Sequence, residues 1–127
     1  MTKILQTVKE RPSTTQAKKF LLDQITAYID ANLAEKITLK MIAGQFSVSV
    51  STVTQLFQQK ARITFHQFLT SRRMGRARTL ILQGTPLEMV GRAIGYRDHS
   101  TFYRAFRQTF GLSPREYRKA MIPDTAE

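Results

Sequence analysis

The sequence predicts an all-α protein of about seven helices, in which two similar helical units are joined by a long central helix. Three observations predict this fold class. Apolar residues recur at steps of three and four, capping and breaker residues divide the chain into helical segments, and one arrangement of segments occurs twice. The alternation of apolar and polar residues that marks a half-buried strand is nearly absent.

The first half of the chain is predicted to contain three helices after a polar leader. Residues 1–16 include a Pro-Ser-Thr-Thr breaker and are expected to be flexible. An amphipathic helix follows over Phe20–Leu33, where apolar residues line one face. A second apolar pattern begins at Leu39, and a third follows a turn near Ser47. Residues 17–63 are therefore predicted to form the first unit.

The connecting helix is predicted over residues 64–84. Thr64 and Gln67 have the spacing of a capping box, in which each side chain bonds the backbone N–H of the other residue. Gly84 is expected to end the helix, because glycine is common just beyond a helix C-terminus. The second unit then spans residues 85–121.

Capping residues also predict the helix starts of the second unit. Thr85 and Ser113 each precede a proline and stand three residues before a glutamate, which indicates a capping box with proline at the first helical position. Asp98 is predicted to cap the helix between them. That helix carries three aromatic residues at steps of four, which we expect in the core: Phe102, Phe106 and Phe110. Residues 122–127 form a tail.

The two units are an internal repeat. Four residues of the first copy, Leu39, Ile42, Ser47 and Val48, align with Leu87, Val90, Gly95 and Tyr96. After one extra residue in the second copy, Ser49, Val53, Gln55 and Phe57 align with Asp98, Phe102, Arg104 and Phe106. Each copy has a short helix, a turn with a small residue and a second helix, which is the helix-turn-helix pattern. The alternative is two ordinary hairpins of a helical bundle.

The charge of the chain indicates an anionic partner. It has 127 residues with 20 Lys and Arg against 9 Asp and Glu, a formal net charge of +11. From Lys60 to Lys119 we count 13 basic and 3 acidic residues, so most of the positive charge lies in the second half. A nucleic acid is the first hypothesis for such a chain, with an acidic protein or an anionic membrane surface as alternatives.

Other function classes find little support in the sequence. With no cysteine, two histidines and few acids, we expect no metal site, no cofactor and no enzymatic activity. There is no glycine-rich phosphate loop, no apolar run long enough to span a bilayer and no signal peptide. A cytoplasmic location and no membrane partner are therefore expected.

A long motif of the second copy resembles a known family. The chain reads GYRDHSTFYRAF over residues 95–106 and FGLSPREYR over residues 110–118, which is similar to the motif of the AraC/XylS family of bacterial transcription regulators. The likeness extends over Phe20–Met121. It implies two helix-turn-helix subdomains whose recognition helices enter major-groove segments about one helical turn apart. It also implies promoter DNA and RNA polymerase as partners, usually in activation.

The resemblance is greatest to the small regulators of multidrug and stress responses, which consist of the two subdomains alone. It therefore implies a stand-alone regulator that binds asymmetric DNA sites as a monomer.

The resemblance also implies which side chains meet DNA. In the second recognition helix these are His99, Ser100, Thr101 and Arg104, and the helical face opposite the apolar residues adds Tyr103 and Arg107. In the first they are Val50, Ser51, Thr54 and Gln55, and the equivalent face adds Gln58. Arg104 is the expected base reader, because a guanidinium pairs with guanine through two hydrogen bonds. Arginines expected to contact phosphates, with a solvated helix face as the alternative, are Arg62, Arg72, Arg73, Arg76 and Arg97, with Arg78 on the same connecting helix.

The first copy departs from the family pattern at three positions. Ser47 and Arg62 replace glycines, and Gln55 replaces the usual arginine of the recognition helix. The first unit then either binds DNA more weakly or prefers adenine through Gln55. Two rival functions stay open: a protein-interaction module or anti-activator of another regulator, favoured by an exposed apolar face on Phe20–Leu33, and a non-specific architectural DNA binder.

Overall fold

The computed structural model describes residues 15–123 of the chain. The predicted leader up to residue 14 and the predicted tail from residue 124 lie outside the described residues. Within them the chain forms seven α-helices and no strands, so the predicted all-α fold class is confirmed. The helices are α1 (Thr15–Ala31), α2 (Leu39–Gln45), α3 (Val50–Leu56), α4 (Phe65–Leu82), α5 (Leu87–Ala93), α6 (His99–Phe110) and α7 (Pro114–Met121).

The chain divides into two compact units. One contains Ile37–Leu69 together with the described residues up to Asn32, and the other contains Leu33–Lys36 together with the described residues from Thr70 onward. Helix α4 belongs to the first unit up to Leu69 and to the second from Thr70. Helix α1 includes Thr15 and Gln16, which the sequence assigned to the leader.

The first unit packs around aliphatic residues and an aromatic cluster centred on Phe57. Ile25, Ile29 and Val53 are fully buried. The Phe57 ring, at the end of α3, lies 5.6 Å from the Phe65 ring and 4.9 Å from the Phe68 ring, measured between centroids. Buried aromatic contacts of this kind fix the exposed face of α3 opposite the core.

The second unit has its own core. Its fully buried members are Met74, Ala77, Ile81, Val90, Ile94, Phe102 and Phe106. Phe110 and Tyr117 are partly buried and pack against this cluster, with their ring centroids 4.6 Å and 5.5 Å from that of Phe106. The core positions predicted for Phe102 and Phe106 are confirmed, and Phe110 lies at the edge of the core.

The internal repeat is visible in the backbone. The Val48 N–H donates to the Ala43 carbonyl at 3.0 Å, and the aligned Tyr96 N–H donates to the Gly91 carbonyl at 2.9 Å. Each bond closes the turn that ends the first helix of its copy, in the manner of a Schellman motif. The two copies therefore turn in the same way before α3 and α6.

The residue at the apex of this turn differs between the copies. Gly95 has φ +98°, and the aligned Ser47 has φ +56°, a left-handed conformation that costs an L-residue roughly 1–2 kcal/mol.

We expect Ser47→Gly to raise the free energy of unfolding by roughly 1 kcal/mol, because glycine adopts this conformation without steric cost. Urea denaturation measures the change. Ser71→Gly, on the exposed face of α4, is the control and should destabilise the protein instead; a loss of stability in Ser47→Gly would contradict the account.

Most of the predicted caps are confirmed. Thr64 and Gln67 exchange two bonds of 3.0 Å, and Ser113 forms a complete capping box with Glu116. The predicted cap at Thr85 is wrong: α5 begins at Leu87, its N-cap is Pro86, and no side chain caps it. Pro86 has ψ 134°, outside the helical range, so Glu88 stands at the second helical position and not the third.

Candidate nucleic-acid interface

Helix α6 presents the predicted second recognition face to solvent. Phe102 and Phe106 are fully buried on its inner side. The residues predicted to meet DNA lie on the other side: His99, Ser100, Thr101, Arg104 and Arg107 are exposed, and Tyr103 is half-buried. All six predicted side chains therefore lie on one helix, five of them exposed and Tyr103 at the border of the exposed face.

The first turn of α6 is organised by Asp98. Its carboxylate accepts a 2.6 Å hydrogen bond from the Thr101 hydroxyl and a 3.2 Å bond from the Thr101 backbone N–H. The hydroxyl bond is the main reason that the pKa of Asp98 lies below its usual value. The cap therefore stabilises the fold above the pKa of an unfolded aspartate, and the contribution is lost as the pH falls through the lowered value.

This bond also decides what Thr101 offers to a ligand. A hydroxyl has one proton to donate and two lone pairs. Because the Thr101 proton is committed to Asp98, the oxygen presents only acceptor capacity outward. Thr101 is thus suited to accept a bond from a base amino group, not to donate one.

His99 and Tyr103 form a ring pair on the exposed side of α6. Their centroids are 4.4 Å apart with the planes tilted by 40°. The Tyr103 ring also contacts the buried Phe102 ring at 5.9 Å. Tyr103 thus packs against the core of the second unit, and His99 packs on Tyr103.

The two cations of α6 differ in their surroundings. The Arg107 guanidinium lies 4.0 Å from the Glu116 carboxylate, and both side chains are mostly exposed. The pKa of Glu116 is lowered, first by a hydrogen bond from the Ser113 backbone N–H. An exposed ion pair of this kind contributes little to stability, so Arg107 can exchange it for a phosphate at little cost. Arg104 is exposed in the middle of the face.

Helix α3 presents the corresponding face of the first unit. Ser49 caps it by accepting from the Thr52 N–H at 3.0 Å. Val53 and Leu56 are buried on the inner side. Of the residues predicted to meet DNA, Val50, Ser51, Gln55 and Gln58 are exposed and Thr54 is half-buried. The helix then widens into a π-helical turn, Phe57–Ala61.

The arginines expected to contact phosphates fall into two groups. Four are exposed: Arg62, Arg72, Arg76 and Arg97. Arg73 is half-buried, and its Nη2 donates to the Glu35 carbonyl at 3.0 Å. Its guanidinium lies 5.9 Å from the centre of the Tyr96 ring, and burial lowers its pKa. Arg73 therefore has a structural role in the second unit, because its guanidinium bonds a backbone carbonyl there. Its predicted phosphate contact stays a prediction.

Two further arginines have structural contacts. Arg78 lies 5.4 Å from the centre of the Phe110 ring. Arg118, which the sequence did not single out, donates to the carbonyl of Ile81 in the last turn of α4 at 3.1 Å, and to that of Thr85 in the segment that follows. A cation at a helix C-terminus satisfies carbonyls that have no partner in the helix. No local pattern indicates this contact, because its partners are 33 and 37 residues away.

Two copies of a short helix, a tight turn and a second helix with a polar outer face define a helix-turn-helix protein. A helix-turn-helix domain family of the AraC type matches residues 42–120. The chain therefore belongs to the AraC family of DNA-binding transcriptional regulators, as the sequence motif indicated.

The relatives agree with this assignment. The uncharacterised transcriptional regulator YijO of Escherichia coli K12 is 34% identical over 108 residues, which are 84% of this chain and 38% of the relative. The transcriptional activator AggR of Escherichia coli is 31% identical over 102 residues, which are 80% of this chain and 38% of the relative. The chain thus spans a little over a third of the length of these relatives.

A solved structure has the same fold. An AraC-type transcriptional regulator from Chromobacterium violaceum is 26% identical, with a TM-score of 0.75 over 82% of this chain and 94% of that one. The family and its named members are transcriptional regulators and not enzymes. In residues 15–123, every helix is too short or too polar to cross a membrane.

Proposed function

We propose that the chain binds promoter DNA sequence-specifically as a monomer, with α3 and α6 in two adjacent segments of the major groove, and activates transcription by contacting RNA polymerase. The observation that carries the proposal is the outer face of α6, where an exposed arginine stands among hydrogen-bonding side chains above a fully buried core. The α3 face also exposes hydrogen-bonding side chains above a buried core, but it has no arginine. The relative AggR is a transcriptional activator, which supports activation as the direction of regulation.

In this proposal the side chains of α6 have separate roles. Arg104 donates two hydrogen bonds to guanine, and Thr101 accepts from a cytosine or adenine amino group. His99 and Ser100, at the first turn, lie where recognition helices contact base edges. Tyr103 and Arg107 contact the sugar-phosphate backbone beside them.

The phosphate contacts come from the exposed arginines outside the recognition faces. These are Arg62, Arg72, Arg76 and Arg97. Such contacts fix the register of a protein on the duplex but carry no sequence information. Membership of a family of DNA-binding regulators supports a location in the bacterial cytoplasm, where promoter DNA is found.

The affinity for DNA is expected to fall steeply with salt. A chain with a formal net charge of +11 releases counterions from the duplex when it binds, and the logarithm of the binding constant then falls linearly with that of the salt concentration. Site selection from a random duplex library, followed by titration of the selected duplex at several salt concentrations, tests both parts of the proposal. An enriched asymmetric site and a steep slope are expected. Salt-independent binding would exclude phosphate contacts, and equal binding to all sequences would indicate an architectural protein.

The protein-interaction alternative is not favoured by the first helix. It requires an exposed apolar face on α1. Phe20 is 55% exposed, but Leu21, Ile25 and Ile29, the next apolar positions of the pattern, are buried in the core. A single exposed phenylalanine is ordinary for a protein surface and does not form a docking face.

A further inference from the structure

The outer faces of α3 and α6 share a backbone register but differ in charge. From Val50 to Gln59 the chain has no charged side chain, whereas α6 exposes Arg104 and Arg107. Gln55 stands at the position aligned with Arg104 and is exposed in the same way. The two units therefore present chemically different surfaces on equivalent helices.

Gln55 has the hydrogen-bonding pattern of an adenine reader. Its side-chain amide carries one acceptor and two donors, whereas a guanidinium has donors only. In the major groove adenine presents an N7 acceptor beside an N6 donor, and guanine presents two acceptors. A glutamine at the position of Arg104 thus exchanges a guanine contact for an adenine contact without any change in the helix.

Val50 presents an exposed apolar side chain at the first turn of α3. Its side chain is 42% exposed at the position where α6 has His99. Thr54 lies one turn further along the same face of the helix and is half-buried, so Val50 is the exposed apolar side chain on this side of Gln55. The group in the major groove that matches such a side chain is the thymine methyl.

We propose that α3 reads a box containing an adenine–thymine step, with Gln55 on an adenine and Val50 on a thymine methyl group. The proposal rests on the function proposed above and chooses between the two readings that the sequence left open for the first unit. It makes α3 a base reader whose recognition face carries no charge. The second unit then supplies the guanine contact and most of the salt dependence.

Base selection by variants of Gln55 tests the proposal. The wild-type chain is expected to require adenine at one position of one box, with other bases there lowering affinity roughly ten-fold. Gln55→Arg is expected to select guanine at that position and leave the other box unchanged. Gln55→Ala is expected to accept all four bases. Gln24→Arg, at an exposed position of α1, adds the same charge and should leave the base preference unaltered.

Replacing thymine by uracil tests the contact of Val50. Uracil lacks only the methyl group, so its introduction in the first box should weaken the wild-type chain several-fold and leave Val50→Ser unaffected. Uracil in the other box is the control duplex. Equal sensitivity of wild type and Val50→Ser to uracil in the first box would remove Val50 from the proposal.

The outcomes separate this inference from the proposed function. If the wild-type chain enriches no sequence, the proposed function fails and the inference fails with it. If the wild-type chain enriches two boxes but Gln55→Arg still selects the same base, or Gln55→Ala weakens all duplexes equally, the inference alone is overturned. Circular dichroism confirms that the variants, all at exposed positions, keep the helical fold.

Discussion

Replacing Gly95 by alanine is expected to destabilise the second unit by several kcal/mol, more than any other single methyl group added at a described glycine. A Cβ at this position would lie 2.4 Å from the Leu33 carbonyl oxygen and 2.9 Å from Nη2 of Arg73. The first neighbour is backbone and cannot move aside. The φ of +98° adds a conformational cost, because L-residues rarely adopt it. Chemical denaturation of the purified chain measures the loss.

Gly84→Ala is the matched control for this prediction. Gly84 has a similar φ of +90°, but a Cβ there would meet nothing within 4 Å. Its substitution should cost only the left-handed conformation, roughly 1–2 kcal/mol. An equal loss in the two variants would mean that the contact between Gly95 and the Leu33 carbonyl does not constrain the turn before α6.

Removing the Arg104 guanidinium is expected to have the largest effect on DNA recognition. Arg104→Ala should weaken binding by about 1–3 kcal/mol on the selected site and relax the preference for guanine at one position. A base contact predicts that Arg104→Ala loses affinity on the selected site but binds duplexes without the guanine as well as the wild-type chain does. Competition titrations with single-base variants of the site measure it.

Arg104→Lys distinguishes base reading from a phosphate contact. Lysine keeps the charge but lacks the planar fork that bonds guanine twice. We expect Arg104→Lys to recover little of the lost guanine preference. If Arg104→Lys instead restores full affinity on every sequence equally, Arg104 contacts the phosphate backbone and not a base.

Much of the fold follows from local sequence patterns. The amphipathic steps, the capping boxes at Thr64 and Ser113, and the repeat around Gly95 each depend on residues within a few positions of one another. The error at Thr85 has a local cause as well, since the extended backbone of Pro86 moved the helix start by one residue. Patterns of this kind also placed the outer faces of α3 and α6 correctly.

Long-range contacts could not be predicted in the same way. Arg73 belongs to an arginine-rich helix and was assigned to the phosphate set, but it bonds a carbonyl 38 residues away. Arg118 likewise donates to a carbonyl of α4 that is distant in sequence. Which arginines remain available to DNA depends on the packing of the chain, and charge counting alone does not separate them.

The most direct test of the central claim is interference mapping of the selected duplex with 7-deazapurines, which remove the N7 acceptor from one major-groove purine at a time. The account predicts that binding is lost at two clusters of purines about one helical turn apart, one containing the guanine read by Arg104 and the other the adenine read by Gln55. Loss at one cluster would show that only one unit reads bases. Binding that tolerates every substitution would contradict recognition through the major groove.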